Sequence, residues 1–447
     1  MKVNEQQAVL PQRATAEDRT LSFQEGLARL IRRARQLLRV SSREEYNERV
    51  VYAEVIWQAL AGAGGMSFVT IFLVRLGAPS WLVGLYTSLP ALMTTLAVLP
   101  AGTFVQRQRN LVRTVNISRL IFRSAFASFA LLTFLPAAIA PYVLVAARSL
   151  ISVPGAVLNV AVTTLWGRVT TPRRRPRMLS TRLALHGLFA AIVGFAAGQW
   201  LERVPYPLNY QVLFATVLLA GLGSVLTLSR LRLPETTELA PLARKKAGLR
   251  ELLPMIQAAP DFRHFMIAAF VFRMGMNLPM ALFPILRVRV VGATDAWIGI
   301  LFTVERILSV LAYFVVGSLA SKPKQRRLLW LACVGVGFFP ITMALSFTPT
   351  MLLIPQVIAG LLGPGMDIFM TDTLFRVSPE DRRPAFVAAN TFLANLIAFI
   401  GPLLGTALSD LVGIRFALVI AGALRIAGGL VFWRMGVGGS RERPHAA

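Results

Sequence analysis

The chain has a single cysteine, Cys333, among 447 residues, so no disulfide can close within it. Its three histidines, His186, His264 and His445, are scattered. One thiol and dispersed imidazoles argue against a zinc or iron–sulfur site, and no metal or cofactor is expected. A G-x-x-x-x-G-K-[ST] phosphate loop is missing. The small-residue run Ala61-Gly62-Ala63-Gly64-Gly65 lies inside an apolar stretch, not after a soluble strand, so nucleotide hydrolysis by this chain is disfavoured. No nucleophile–base set can be assembled, so no enzyme is expected. Charge is sparse as well: 15% of residues are ionisable, against about 25% in soluble domains. Acids are the scarcer sign, with 21 Asp+Glu against 47 Lys+Arg and a formal charge of +26.

What is present is apolar surface. Hydrophobic residues make up 55% of the chain and the mean hydropathy is +0.61. That excludes a disordered polypeptide. A bilayer core of about 30 Å takes roughly 20 apolar residues per helix. Twelve such stretches can be drawn, near 50–74, 81–104, 114–135, 141–165, 182–200, 209–229, 264–286, 296–319, 328–346, 350–374, 385–408 and 414–435. Unpaired amides are too costly in lipid, so helices are expected. The stretches are too long and too evenly apolar for barrel strands.

Loop charge sets the orientation. One alternate set (104–113, 166–177, 230–250, 320–327 and 375–384) carries 21 Lys+Arg, and the opposite set carries 5. Positive loops stay cytoplasmic, so both termini are expected there too. The same dispersal accounts for the net charge and argues against a nucleic-acid partner, which needs a gathered basic face. A multi-pass protein of the cell membrane, the inner membrane of a bacterium, is expected. Residues 1–48 lack the apolar core of a signal peptide. Phe23, Leu27, Leu30, Ile31, Ala34, Leu37 and Leu38 recur there at helical spacing among arginines. The pattern fits a basic amphipathic helix, on the inner leaflet or on the protein's own loops. The expected organisation is 1–48 as a cytoplasmic segment, 49–231 as a six-helix bundle and 232–262 as a linker. A second bundle over 263–437 and a tail over 438–447 complete it.

The second half copies the first. Gly77, Ala78, Gly84 and Gly102 recur as Gly292, Ala293, Gly299 and Gly317, each 215 residues later. Gly155, Thr163, Arg168, Val169, Arg174, Arg175 and Pro176 recur as Gly363, Thr371, Arg376, Val377, Arg382, Arg383 and Pro384, each 208 later. The lost seven residues imply a shorter hairpin in the second copy. Two like-facing six-helix bundles joined by a loop form a rocker architecture.

With these features the chain resembles the major facilitator superfamily over roughly 48–437. The loop after the second helix reads Gly102-Thr103-Phe104-Val105-Gln106-Arg107, with Gln106 where the family pattern has Asp. Its copy reads Gly317-Ser318-Leu319-Ala320-Ser321-Lys322, with Ser321 there. Arg148 matches a family arginine of the fourth helix, and Gly401-Pro402-Leu403-Leu404-Gly405 falls in the eleventh. The resemblance implies an all-α membrane protein of twelve helices, a cavity lined by helices 1, 4, 7 and 10, and a cytoplasmic gating loop at Gly102, Gln106, Arg107, Gly317, Ser321 and Lys322.

Polar residues inside the stretches mark the candidate site. Arg148, Ser152, Gly155, Asn159 and Thr163 share one helix face, and Gln356, Gly360, Gly363, Asp367 and Thr371 repeat it. Glu54 and Gln58 lie one turn apart in the first stretch, and Arg273 and Asn277 in the seventh. The expected cavity residues are therefore Gln58, Arg148, Ser152, Asn159, Arg273, Asn277, Gln356 and Asp367. Glycines on the stripes fit close packing as well as cargo contact. Candidates for proton coupling are Glu54, Glu305, Asp367 and His186. Glu54, placed about one turn from the cytoplasmic face, equally fits a wetted gate residue, and His186 a packed side chain. Arg119 and Arg123 are expected to snorkel to the interface. Arg425 has no visible partner.

The expected function is secondary transport of a small hydrophobic or amphiphilic molecule by alternating access, as proton-coupled efflux by a monomer. The cavity arginines Arg148 and Arg273 keep uptake of a small organic anion as an alternative. The long basic N-terminal segment keeps open a non-transporting sensor or scaffold.

Overall fold

The computed structural model describes residues 42–171, 173–233, 257–319, 325–379 and 382–436. The expected N-terminal amphipathic helix, most of the 232–262 linker, and Ser321 and Lys322 lie outside them. Every regular element among the described residues is helical. We number the helices α1 (Arg43–Arg75), α2 (Ser80–Gln106), α3 (Leu111–Phe134), α4 (Ala140–Val169), α5 (Arg175–Arg203) and α6 (Leu208–Leu228). The second series is α7 (Pro260–Val290), α8 (Asp295–Leu319), α9 (Gln325–Ala344), α10 (Thr350–Val377), α11 (Arg383–Val412) and α12 (Ile414–Arg434).

Among the described residues, eleven helices are long and apolar enough to cross a membrane. The ninth stretch appears as a shorter apolar helix, Leu328–Ala344. At 20 residues, α9 is the clipped counterpart of the 24-residue α3, where the seven-residue change of offset falls.

Two boundaries move relative to the sequence reading. The first helix starts at Arg43, capped by the Ser42 side chain accepting from the Glu45 amide, so Glu54 sits three turns inside it. The seventh helix runs to Val290 through a π-helical turn, which puts Arg287 inside the helix and not in a loop.

α1 and α7 are both broken, at repeat-related places. α1 passes through a π-helical segment at Leu60–Gly65 and a 3-10 turn at Met66–Phe68. α7 stops at Asn277, turns over 278–281, and restarts at Leu282. Wherever a helix breaks in an apolar setting, its freed backbone groups need new partners. Gly405 lets α11 approach that turn; a Cβ there would sit 1.8 Å from the Leu278 carbonyl oxygen.

The halves meet through α5 on α8 and α2 on α11. Glycines make these crossings close. A Cβ on Gly198 would fall 2.8 Å from the Cα of Gly299, and one on Gly84 would fall 2.9 Å from the Thr406 hydroxyl oxygen. Both crossings lie toward the end away from the arginine-rich loops.

Candidate functional site

A reciprocal clasp closes the halves at that end. Arg75, at the end of α1, donates to the Asp295 carboxylate at 3.0 Å and to the Ala293 carbonyl at 3.3 Å. Arg289, at the end of α7, donates to the carbonyls of Val74 (3.2 Å) and Ala78. Ala78 and Ala293 follow Gly77 and Gly292, whose φ of +82° and +69° build the same tight turn in each copy. Tyr210 adds a hydroxyl contact of 3.5 Å to Asp295. Toward the arginine-rich end, no hydrogen bond or ion pair joins two described residues of opposite halves.

The crevice is read from α4. Asn159 is exposed, and so is Leu150, nine residues before it. Nine residues are two and a half turns, so the two point to opposite sides of the helix. Leu150 suits the lipid side, which leaves Asn159 and Thr163 on the side of the other half. Their copies on α10, Asp367 and Thr371, are exposed too. Among the described residues, the Asp367 carboxylate has neither an ion-pair nor a hydrogen-bond partner.

The other expected residues are occupied. Glu54 is fully buried; it pairs with Arg119 and accepts from Ser224 at 2.7 Å, with Arg182 at 4.0 Å. It is neither at a wet gate nor facing the crevice. Arg119 and Arg123 do not snorkel: they are 1% and 6% exposed. Their helix carries them into the first bundle, where Glu54 and Gln58 are closer than the interface. Arg123 donates to Gln58 at 2.7 Å and to the Met66 sulfur.

Arg148 donates to Ser152 at 3.0 Å and lies 5.4 Å from the Phe126 ring centroid. Arg273 donates to the Asn390 side chain at 2.8 Å, and Asn277 folds back on the Arg273 carbonyl at 2.9 Å. Gln356 is buried between two charges. With its amide turned to satisfy both, it donates to Glu305 at 3.1 Å and accepts from Arg287 at 3.0 Å. Gly102 is buried, Gln106 half-buried and Arg107 exposed at the end of α2. Gly317 lies in the last turns of α8.

Arg425 does have partners. It is 2% exposed and donates to the carbonyls of Gly275, Met276 and Val336 at 2.9, 3.4 and 3.3 Å. At the α7 break the Met274 carbonyl is taken by the Leu278 amide and the Asn277 carbonyl by Met280. The two carbonyls left over are those of Gly275 and Met276, which Arg425 takes. A cation at a helix C-terminus also meets its dipole favourably.

Sequence reasoning missed Arg287, Asn390, Arg182 and Arg306. Arg306 lies on α8 one turn from Phe302, its guanidinium carbon 4.9 Å from that ring centroid. Arg182 lies on α5, 5.0 Å from the Trp166 ring. Both have a buried Nε without a partner.

The Major Facilitator Superfamily sequence profile matches residues 55–366 and 265–446. The chain belongs to the major facilitator superfamily. It is thus a multi-pass membrane transporter of small molecules. No curated protein matches it. Among solved structures, a bacterial homolog of the human lysosomal transporter Spinster, inward-facing and unoccupied, aligns with TM-score 0.63 at 16% identity. That match covers 89% of this chain and 99% of the other. The nucleoside transporter NupG aligns with TM-score 0.65 at 11% identity, over 87% and 99%. The human organic anion transporter MFSD10 aligns with TM-score 0.60 at 11% identity, over 87% and 99%. At these identities the likeness shows the fold alone.

Proposed function

We propose that this protein is a secondary transporter that exports a small amphiphilic molecule by alternating access, coupled to protons through Asp367. The carrying observation is the contrast among its intramembrane acids. Glu54 is locked by Arg119 and Ser224, and Glu305 faces Gln356 and Arg287. Asp367 alone of these three is exposed and without a partner among the described residues. A free carboxylate in an apolar crevice exchanges protons with whichever side the crevice faces.

In this reading the two halves are the bundles 49–231 and 263–437, rocking so that the clasp at Arg75 and Arg289 opens as the opposite side closes. The arginine-rich loops and both termini are cytoplasmic, and the crevice opens to that side. The protein works as a monomer in the cell membrane, the inner membrane of a bacterium. The gating loops at Gly102–Arg107 and Gly317–Lys322 close the cytoplasmic side in the other half of the cycle.

The test uses liposomes loaded with a pH-sensitive dye. Ethidium, fluorescein and uridine are added in turn under an imposed pH gradient. At least one amphiphilic probe should drive proton flux with the native protein and none with Asp367→Asn. Undiminished coupling in Asp367→Asn would remove Asp367 from the mechanism.

A further inference from the structure

Phe302, Arg306 and Val310 are spaced one turn apart and share a face of α8. That face is turned to α5. A Cβ on Gly194 would meet the Phe302 ring at 2.6 Å, and one on Gly187 would meet Val310 at 2.4 Å. Thr303, beside them, donates to the Ala191 carbonyl of α5 at 3.0 Å. Arg306 therefore enters the seam between the halves, level with the α5 residues between Gly187 and Gly194. Ala59 and Ala63 of α1 pack with Ala190 and Phe302 in the same place.

Arg182 and His186 stand one turn apart on α5, just before this seam. The electrostatic neighbours of His186 are Arg182, Arg306, Glu54 and Arg123. Arg119 faces Arg182 as well. The guanidiniums of Arg119, Arg123 and Arg182 thus gather on the Glu54 carboxylate, which is already paired with Arg119, and Arg306 faces His186 beside them. Glu305, next to Arg306 in sequence, is turned away toward Gln356 and Arg287. Arg306 has no ion-pair partner among the described residues.

Arg182 of the first half and Arg306 of the second both face His186, and like charges gathered around one point in a weakly polar seam are stabilised when an anion joins them. We propose that Arg182, His186 and Arg306 form a binding site for the anionic end of the cargo, a carboxylate or sulfonate, whose apolar part lies along Phe302. A planar fork of N–H donors suits such a group. The site spans both halves, so its occupant lowers the repulsion that opposes their approach. The membrane potential also drives an anion out of an inside-negative compartment, which agrees with export.

This inference rests on the transport reading above, yet it can fail separately. Purified full-length protein is melted with benzenesulfonate, benzamide, benzyltrimethylammonium or sodium sulfate at matched ionic strength. A ligand that prefers the native state raises the melting temperature. Benzenesulfonate should give a saturable rise, and the other three should not. Arg306→Gln and Arg182→Gln should each weaken its apparent affinity about tenfold or more, while Arg203→Gln, at the far end of α5, should not. Should a glutamine variant fail to fold, Arg306→Lys keeps the charge without the fork and should still weaken binding.

An equal rise from benzamide overturns the proposal, as does one from sodium sulfate, which has no apolar part. So does a benzenesulfonate response that survives both glutamine changes. Intact benzenesulfonate selectivity without any gradient-driven flux would count against the transport reading only. Coupled flux without anion selectivity would count against this site only.

Discussion

Arg123 in the first half and Arg425 in the second serve the same need with different chemistry. Each is buried beside the break in the leading helix of its half. Arg123 comes from α3 and bridges Gln58 and Met66, on either side of the Leu60–Gly65 segment. It belongs to a side-chain cluster with Arg119, Ser224 and the carboxylate of Glu54. Arg425 comes from α12 and takes backbone carbonyls, with the Phe283 and Phe339 rings 6.0 and 5.6 Å away. Duplication has preserved the place of the break and not the means of bracing it. The first half balances its buried cations with a carboxylate, and the second uses the ends of a helix.

The largest effect that can break this comparison is at Glu54. Glu54→Gln keeps the shape but leaves Arg119 uncompensated in the bundle. Losing one partner of a buried pair costs about 3–5 kcal/mol. We expect the lowest melting temperature of any variant here, with much of it recovered in Glu54→Gln/Arg119→Gln. Arg425→Met should cost less, about 1–3 kcal/mol, because it strands neutral carbonyls and not a charge. Equal losses in the two variants would show that the halves are braced by the same energetics.

Gly405 and Gly363 sharpen the same comparison at the level of space. Gly405→Ala would drive a methyl group into the Leu278 carbonyl at the α7 break, so α11 must shift. We expect a melting temperature several degrees lower and a loss of flux. Gly363→Ala meets nothing within 4 Å and replaces glycine in a helix, so it should be neutral or mildly stabilising. Thermal unfolding of both variants decides the matter.

The all-helical character, the long apolar spans and the repeat were legible in the sequence because they are patterns of spacing. The stripe carrying Asn159 and Asp367 was legible for the same reason. Arg425 was not, because its partners are carbonyls, which every residue owns and no side chain announces. Glu54 was misplaced because its helix begins a full two turns before the apolar stretch does. Arg287 was taken for a loop because charge at a span's end reads as its boundary. Arg182 and Arg306 lie 124 positions apart in different halves, at no spacing a single helix could display. Arg306 reaches His186, one turn from Arg182, only through the packing of α5 on α8.

The smallest effect expected from a lost contact lies at the clasp, where the halves differ by a single acid. Arg75 reaches a carboxylate as well as a carbonyl, whereas Arg289 reaches carbonyls alone. The Arg75 side chain is 34% exposed, so water screens the pair and its worth is about 0–1 kcal/mol. Asp295→Asn keeps a hydrogen-bond acceptor and removes only the charge. The equilibrium between closed and open forms at that end should shift by about fivefold at most. Arg289→Gln removes a cation that satisfies two carbonyls at once and should shift it more. Labelling of a cysteine placed at Asn159, in a Cys333→Ala background, reads the change from the other side of the bilayer. As the clasp loosens, the crevice closes to the arginine-rich end and labelling there slows. A larger effect from Asp295→Asn than from Arg289→Gln would mean that charge, and not the paired Gly-Ala turns, holds the halves together.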